Sequence, residues 1–163
     1  MYDDLRKHIT DHFNKLRGDW VGKDSGYEVG LCNVLGFERE HEETRHWDAK
    51  WGSYTIEFKK GKSGALFDLV RYSEVLLDRP DLNTPRNVIL VFITDDNAKS
   101  IKGVIGVSVP LLIERFGLGN DDARFLVQLN AKMPRQLNAQ ANLTINDLRG
   151  ISSFNVGMLD DLL

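Results

Sequence analysis

The sequence predicts an α/β fold: a single domain in which a central mixed β-sheet is flanked by helices. Three observations point there. WDAKWGSYTIEFKK, residues 47 to 60, reads as two short alternating strands around a Gly52-Ser53 turn, the pattern of an antiparallel hairpin. NVILVFI, residues 87 to 93, is an unbroken apolar run of strand length, which suits a strand covered on both faces. Around these lie segments whose apolar residues recur at helical spacing, the layers that would cover the sheet. At 163 residues the chain is long enough for one proper core and too short for two ordinary domains. It is therefore read as one domain over 1–163, with an N-terminal helix at 3–16, a core from about 26 to 116 and a C-terminal region at 121–163.

In chain order, Leu5, Ile9, Phe13 and Leu16 fall at helical spacing, with Asp3 and Asp4 at the end where the macrodipole favours negative charge. Asp19 to Gly26 reads as a loop, because Gly18, Gly22 and Gly26 sit among polar residues. A second helix is expected from about Gly26 to Leu35, with Glu28 in its first turn; such a position suits the dipole, whatever else the glutamate does. Cys32, the sole cysteine, lies in this apolar pattern and cannot form an internal disulfide, so it reads as a small buried thiol. A strand near Phe37 to Glu40 follows, then HEETRH. Its histidines, His41 and His46, are five apart, whereas a zinc-binding helix needs i, i+4 spacing, so zinc is discounted there.

Beyond the hairpin, KSGALFDLVRYSEVLLDRP is expected to be one helix. Ala65, Leu66, Leu69, Val70, Ser73, Leu76 and Leu77 form its apolar stripe, Ser63 its cap and Pro80 its stop. Asp95 and Asp96 make a turn after the 87–93 strand. Ile101 to Val109 reads as another strand, and PLLIERFG as a short helix with Pro110 first and Gly117 just past its end. RFLVQL, within 121–129, fits a strand or a helix equally well. Lys132 to Leu143 is rich in Asn and Gln, which makes it either a surface connection or a set of base contacts, since amides pair bidentately with adenine edges. TINDLRGI reads as a capped final helix, and the tail MLDDLL is too short to classify.

The hairpin carries an unusual charge pattern. A two-residue loop opposes Trp51 to Tyr54, Lys50 to Thr55, Ala49 to Ile56 and hence Asp48 to Glu57. Thr55, Glu57 and Lys59 share one face, and Tyr54, Ile56 and Phe58 the other. Like charges directly opposed destabilise a sheet. A divalent cation would offset that repulsion, as would the ammonium of Lys59 or Lys50; a solvated edge would tolerate it.

Asp48, eight residues, then Glu57-Phe58-Lys59 resembles the D...(D/E)-x-K signature of the PD-(D/E)xK nuclease superfamily, which includes many Type II restriction endonucleases and Holliday-junction resolvases. The likeness extends from about Gly26 to Leu77: a helix with a Glu, the hairpin with the Asp, the Glu-x-Lys strand, a basic loop and a helix, the order of a restriction endonuclease-like core. The proline that names the motif is absent, because Trp47 precedes Asp48.

The resemblance implies a metal-dependent endonuclease that hydrolyses DNA and leaves 5′-phosphates. Asp48 and Glu57 would be ligands of Mg²⁺, with Mn²⁺ able to substitute, and the backbone carbonyl of Phe58 a further ligand. Lys59 would act on the attacking water, and Glu28 would reach the metal through water. Lys60, Lys62, Ser63 and Arg71 are the candidate contacts to double-stranded DNA, with the start of the following helix facing a phosphate. Because one active site per chain must be doubled to cut both strands, a homodimer is expected. A structure-specific repair or recombination nuclease is the nearest rival, and a non-catalytic nucleic-acid-binding module of the same fold a third possibility.

Composition narrows these choices. A 42% hydrophobic and 28% charged chain is globular rather than disordered. No apolar stretch is long enough to span a bilayer, and MYDDLRKHIT is acidic and amphipathic, unlike a signal peptide, so a cytoplasmic protein with no membrane contact is expected. A net charge of -3 excludes coating nucleic acid by bulk attraction. Positive charge must be concentrated locally, as Lys59, Lys60, Lys62 and Arg71 would do.

Overall fold

The computed structural model describes residues 1–17, 27–40, 47–96, 100–135 and 137–157. The loop expected at 19–26, the HEETRH segment and the tail MLDDLL lie outside the described residues or largely so.

A six-stranded mixed sheet forms the centre, as the sequence predicts. Its strands are β1 (Glu38–Arg39), β2 (Ala49–Trp51), β3 (Tyr54–Gly61), β5 (Asn87–Thr94), β6 (Ile101–Ser108) and β8 (Phe154–Gly157), in that spatial order. Only β3 and β5 run parallel; every other neighbouring pair is antiparallel. Strands β4 (Gly64–Asp68) and β7 (Gln140–Thr144) form a separate antiparallel ribbon. The helices are α1 (Asp3–Leu16), α2 (Tyr27–Leu35), α3 (Leu69–Asp78), α4 (Val109–Phe116), α5 (Asn120–Lys132) and α6 (Ile145–Gly150). No helix among the described residues is long and apolar enough to cross a membrane.

The apolar run at the centre explains the layering. All eight residues of β5 are buried. Val88, Leu90 and Phe92 enter one core, with Leu5, Ile9 and Leu16 of α1 and Leu31 and Leu35 of α2. Ile89, Val91 and Ile93 enter a second core, with Tyr72 and Val75 of α3, Leu112 and Ile113 of α4 and Leu148 of α6. The period-two alternation of a strand divides its side chains between the two faces. Burying an aliphatic side chain is worth roughly 1.5–3 kcal/mol, so this one strand anchors both layers. Cys32 is buried in the first core as expected, and burial pushes its thiol up to about 11.

One expectation about chain path is corrected, one open choice is decided, and one strand is new. The helix expected to begin at Ser63 instead begins at Leu69, where the Asp68 side chain accepts the Val70 N–H at 3.0 Å. Residues 64–68 alternate, with Ala65 and Phe67 buried and Leu66 exposed, and pair with β7 as a strand. A phosphate at a helix start just past Lys59 therefore has no basis, and Ser63 sits in the bend between β3 and β4 rather than as a cap. The segment left open at 121–129 is helical, within α5. Finally, β8, a strand not expected from its residues, completes the sheet beside β6.

The remaining elements follow expectation closely. Gly52 has φ 57° at the hairpin turn, a conformation that favours glycine. Thr144 and Asp147 form a reciprocal capping box on α6. Pro110 is the second residue of α4 rather than the first, and Gly117 closes that helix.

Candidate active site

The hairpin register is the predicted one for Trp51 with Tyr54, Lys50 with Thr55 and Ala49 with Ile56. At Asp48 it departs. The Asp48 N–H donates to the carbonyl of Ile56, the residue already opposite Ala49, at 2.8 Å. The ladder is thus irregular there, in the manner of a β-bulge. The Asp48 carboxylate then accepts the Phe58 N–H through Oδ2 at 2.8 Å. Asp48 is held against β3 by its side chain, not as the directly opposed partner of Glu57.

Along β3, Tyr54, Ile56 and Phe58 enter the first core. Glu57 and Lys59 emerge on the other side. Glu57 is 2% exposed, and the fold supplies partners for both of its oxygens. Arg71 Nη1 donates to Oε1 at 2.6 Å and Tyr72 Oη to Oε2 at 3.1 Å, both from the first turns of α3. The Lys59 ammonium lies 3.9 Å from the same Oε1 and 5.7 Å from the centroid of the Phe67 ring of β4. Moving the start of α3 to Leu69 is what makes this possible, because it carries Arg71 and Tyr72 up to the carboxylate.

An open cleft of about 600 Å³ gathers these groups. From α2 it takes Tyr27 and Glu28, from the hairpin Asp48, Glu57, Phe58, Lys59 and Lys60, from the next turn Ser63, and from α3 Arg71. The ribbon adds Leu66, Gln140 and Asn142. Lys62, exposed in the bend between β3 and β4, does not line it. The Lys60 ammonium sits 4.8 Å from the Tyr27 ring centroid, a cation–π geometry. Arg71, expected to meet a phosphate, has its guanidinium on Glu57, with Nε buried and lacking a hydrogen-bond partner.

The acids feel one another. Burial raises the Glu57 carboxyl above the ordinary range; Arg71 and then Lys59 oppose that rise, and the charge of Asp48 adds to it. Burial also raises Glu28, with the charge of Asp48 next. Burial and the charges of Glu28, Asp48 and Glu57 push the Tyr27 hydroxyl up as well. Such mutual elevation marks negative charge converging on one space. Hard oxygen donors arranged this way suit a divalent cation: Glu57 keeps lone pairs beyond the two bonds it accepts, as does Asp48 beyond its one. Among the described residues, no three His, Cys, Asp or Glu side chains alone form a metal cage, so such an ion would draw on backbone carbonyls and water too.

Sequence reasoning missed Tyr72 and the ribbon residues. Tyr72 lies next to Arg71 on an expected helix, but its direction depends on where that helix starts. The alternation of GALFD was the available sign of the ribbon.

Neither a family model nor a curated protein matches the chain.

Proposed function

We propose that this protein is a magnesium-dependent endodeoxyribonuclease of restriction type, hydrolysing DNA phosphodiester bonds to leave 5′-phosphates. The observation that carries the reading is the meeting of Glu28, Asp48, Glu57, Phe58 and Lys59 from two separate elements in one cleft. Asp48, Glu57 and the Phe58 carbonyl would hold Mg²⁺ or Mn²⁺, with Glu28 reaching it through water. When bound, the ion supplies Lewis-acid activation of water and neutralises phosphoryl charge.

The chain's own groups do the rest. Lys59, packed on Phe67 beside Glu57, orients the attacking water and stabilises the charge that develops on the phosphoryl oxygens. Tyr72 fixes the Glu57 carboxylate through Oε2. Lys60 and Ser63 border the cleft and Lys62 is exposed in the bend beside them, where DNA phosphates would pass. A two-fold dimer on double-stranded DNA would bring one such cleft to each strand.

The test is cleavage of mixed plasmid and phage DNA with and without Mg²⁺. Lys59→Ala and Asp48→Ala should each abolish cleavage while circular dichroism shows the fold retained; activity surviving either change refutes the assignment. Discrete fragments favour the restriction-type reading, and preference for branched DNA a resolvase-like one. One observation favours a non-catalytic binding module instead: both Glu57 oxygens already accept from protein donors. A magnesium-independent gel shift without cleavage would select that reading.

A further inference from the structure

The β4–β7 ribbon has two unlike faces. Register pairs Leu66 with Asn142 and Asp68 with Gln140, and directly opposed residues of an antiparallel pair share a face. The inner face carries Ala65, Phe67 and Leu143 into the second core. The outer face lines the same cleft as Glu57 and Lys59, through Leu66, Gln140 and Asn142. Asp68 is occupied as the cap of α3. The amides of Gln140 and Asn142 are exposed and have no hydrogen-bond partner among the described residues. Leu66, directly across from Asn142 and diagonal to Gln140, is 52% exposed. Nothing in the packing calls for an exposed leucine on the same face as these two amides.

The ribbon is also tied at both ends by backbone hydrogen bonds. Ile145 N–H donates to the Ser63 carbonyl at one end, and Leu69 N–H to the Ala139 carbonyl at the other, each at 2.9 Å. At Gly64 a Cβ would lie 2.1 Å from the Leu143 carbonyl oxygen, so the strands are close-set there. Five residues at roughly 3.4 Å each span about 17 Å. A two-stranded ribbon fits the DNA major groove, about 12 Å wide, where Asn and Gln pair bidentately with adenine and apolar groups touch the thymine methyl.

Resting on the nuclease reading, we infer that this ribbon is the sequence-reading element of the protein, with Gln140 and Asn142 contacting adenine edges and Leu66 a thymine methyl in the major groove of duplex DNA next to the scissile phosphate. The experiment selects the full chain carrying Lys59→Ala, which retains the ribbon, against duplexes randomised over their central base pairs, and sequences the bound fraction. A motif containing A·T pairs should be enriched. Gln140→Ala and Asn142→Ala should each lower discrimination at a different A·T position by roughly five- to hundredfold. Leu66→Ser should weaken preference for a thymine-bearing pair, with circular dichroism unchanged throughout. Cleavage mapping with active Lys59 separates the two ideas. If the protein cuts plasmid at defined positions and the ribbon variants cut at the same positions with the same preference, the ribbon inference is overturned and the nuclease reading stands. Cutting with no base preference has the same meaning. Absence of both magnesium-dependent cleavage and duplex binding, or enrichment of single strands or RNA instead, overturns the inference together with the nuclease reading.

Discussion

Arg71→Ala isolates the main electrostatic feature of the cleft. Glu57 has a 3% exposed side chain, and Arg71, at 22%, supplies the nearest cation at 2.6 Å. Breaking a buried pair by removing one partner costs roughly 3–5 kcal/mol. Lys59 at 3.9 Å and the Tyr72 hydroxyl remain, which places the loss near the lower end, about 3 kcal/mol. For a chain of this length each kcal/mol moves the melting temperature by roughly 2–4 °C, so a fall of about 6–12 °C is expected at neutral pH. The loss should also depend on pH. The folded pKa of Glu57 is raised, by burial first, with Arg71 the largest opposing influence. A raised carboxyl contributes stability that is complete below its unfolded pKa and is lost as pH rises through the folded one. Without Arg71 the folded pKa climbs further, so the difference between wild type and variant should be small at about pH 4 and grow toward about pH 8. Melts followed by circular dichroism across that range measure it. A constant difference across pH, or a total loss under about 1 kcal/mol, would show that Glu57 does not depend on Arg71. Glu57→Gln in the same background should remove the pH dependence.

Three further outcomes are expected. Mg²⁺ at a hundredfold excess over its Kd should stabilise the protein by about 2.7 kcal/mol, roughly 5–11 °C in melting temperature, and Asp48→Asn should abolish that shift in differential scanning fluorimetry. Thr144→Ala removes the acceptor of the Asp147 N–H and should lower stability by about 1 kcal/mol in urea titrations. Gly64→Ala, which sets a methyl against the Leu143 carbonyl, should cost about 1–3 kcal/mol and is checked by the same titrations.

Most of the hairpin and both halves of the main sheet were legible because they rest on local signals: Gly52 at a two-residue turn, strict alternation through β3, and the unbroken run of β5. The acids and lysine of the site followed from that register. What escaped was governed by distant partners. GALFD matches a helical stripe nearly as well as a strand, and only pairing with β7, more than 70 residues later, decides it. The same error hid Arg71 and Tyr72, since a helix begun at Ser63 points them elsewhere. Asp48 was assigned to the correct neighbourhood but to a regular ladder, because a bulge leaves no mark in composition. The four-residue β8 has its place from β6, not from its own pattern.

The alternation of β3 makes the chemistry and the packing hostages to one spacing. Inserting or deleting a single residue between Tyr54 and Lys59 would exchange the two sets of side chains, turning Glu57 and Lys59 toward α1 and α2 and an aromatic ring into the cleft. Length changes in that strand should therefore be lethal to stability and activity at once. A library built by deletion scanning would find a sharp boundary there, and any retuning of the centre has to proceed by exchange of residues at fixed positions.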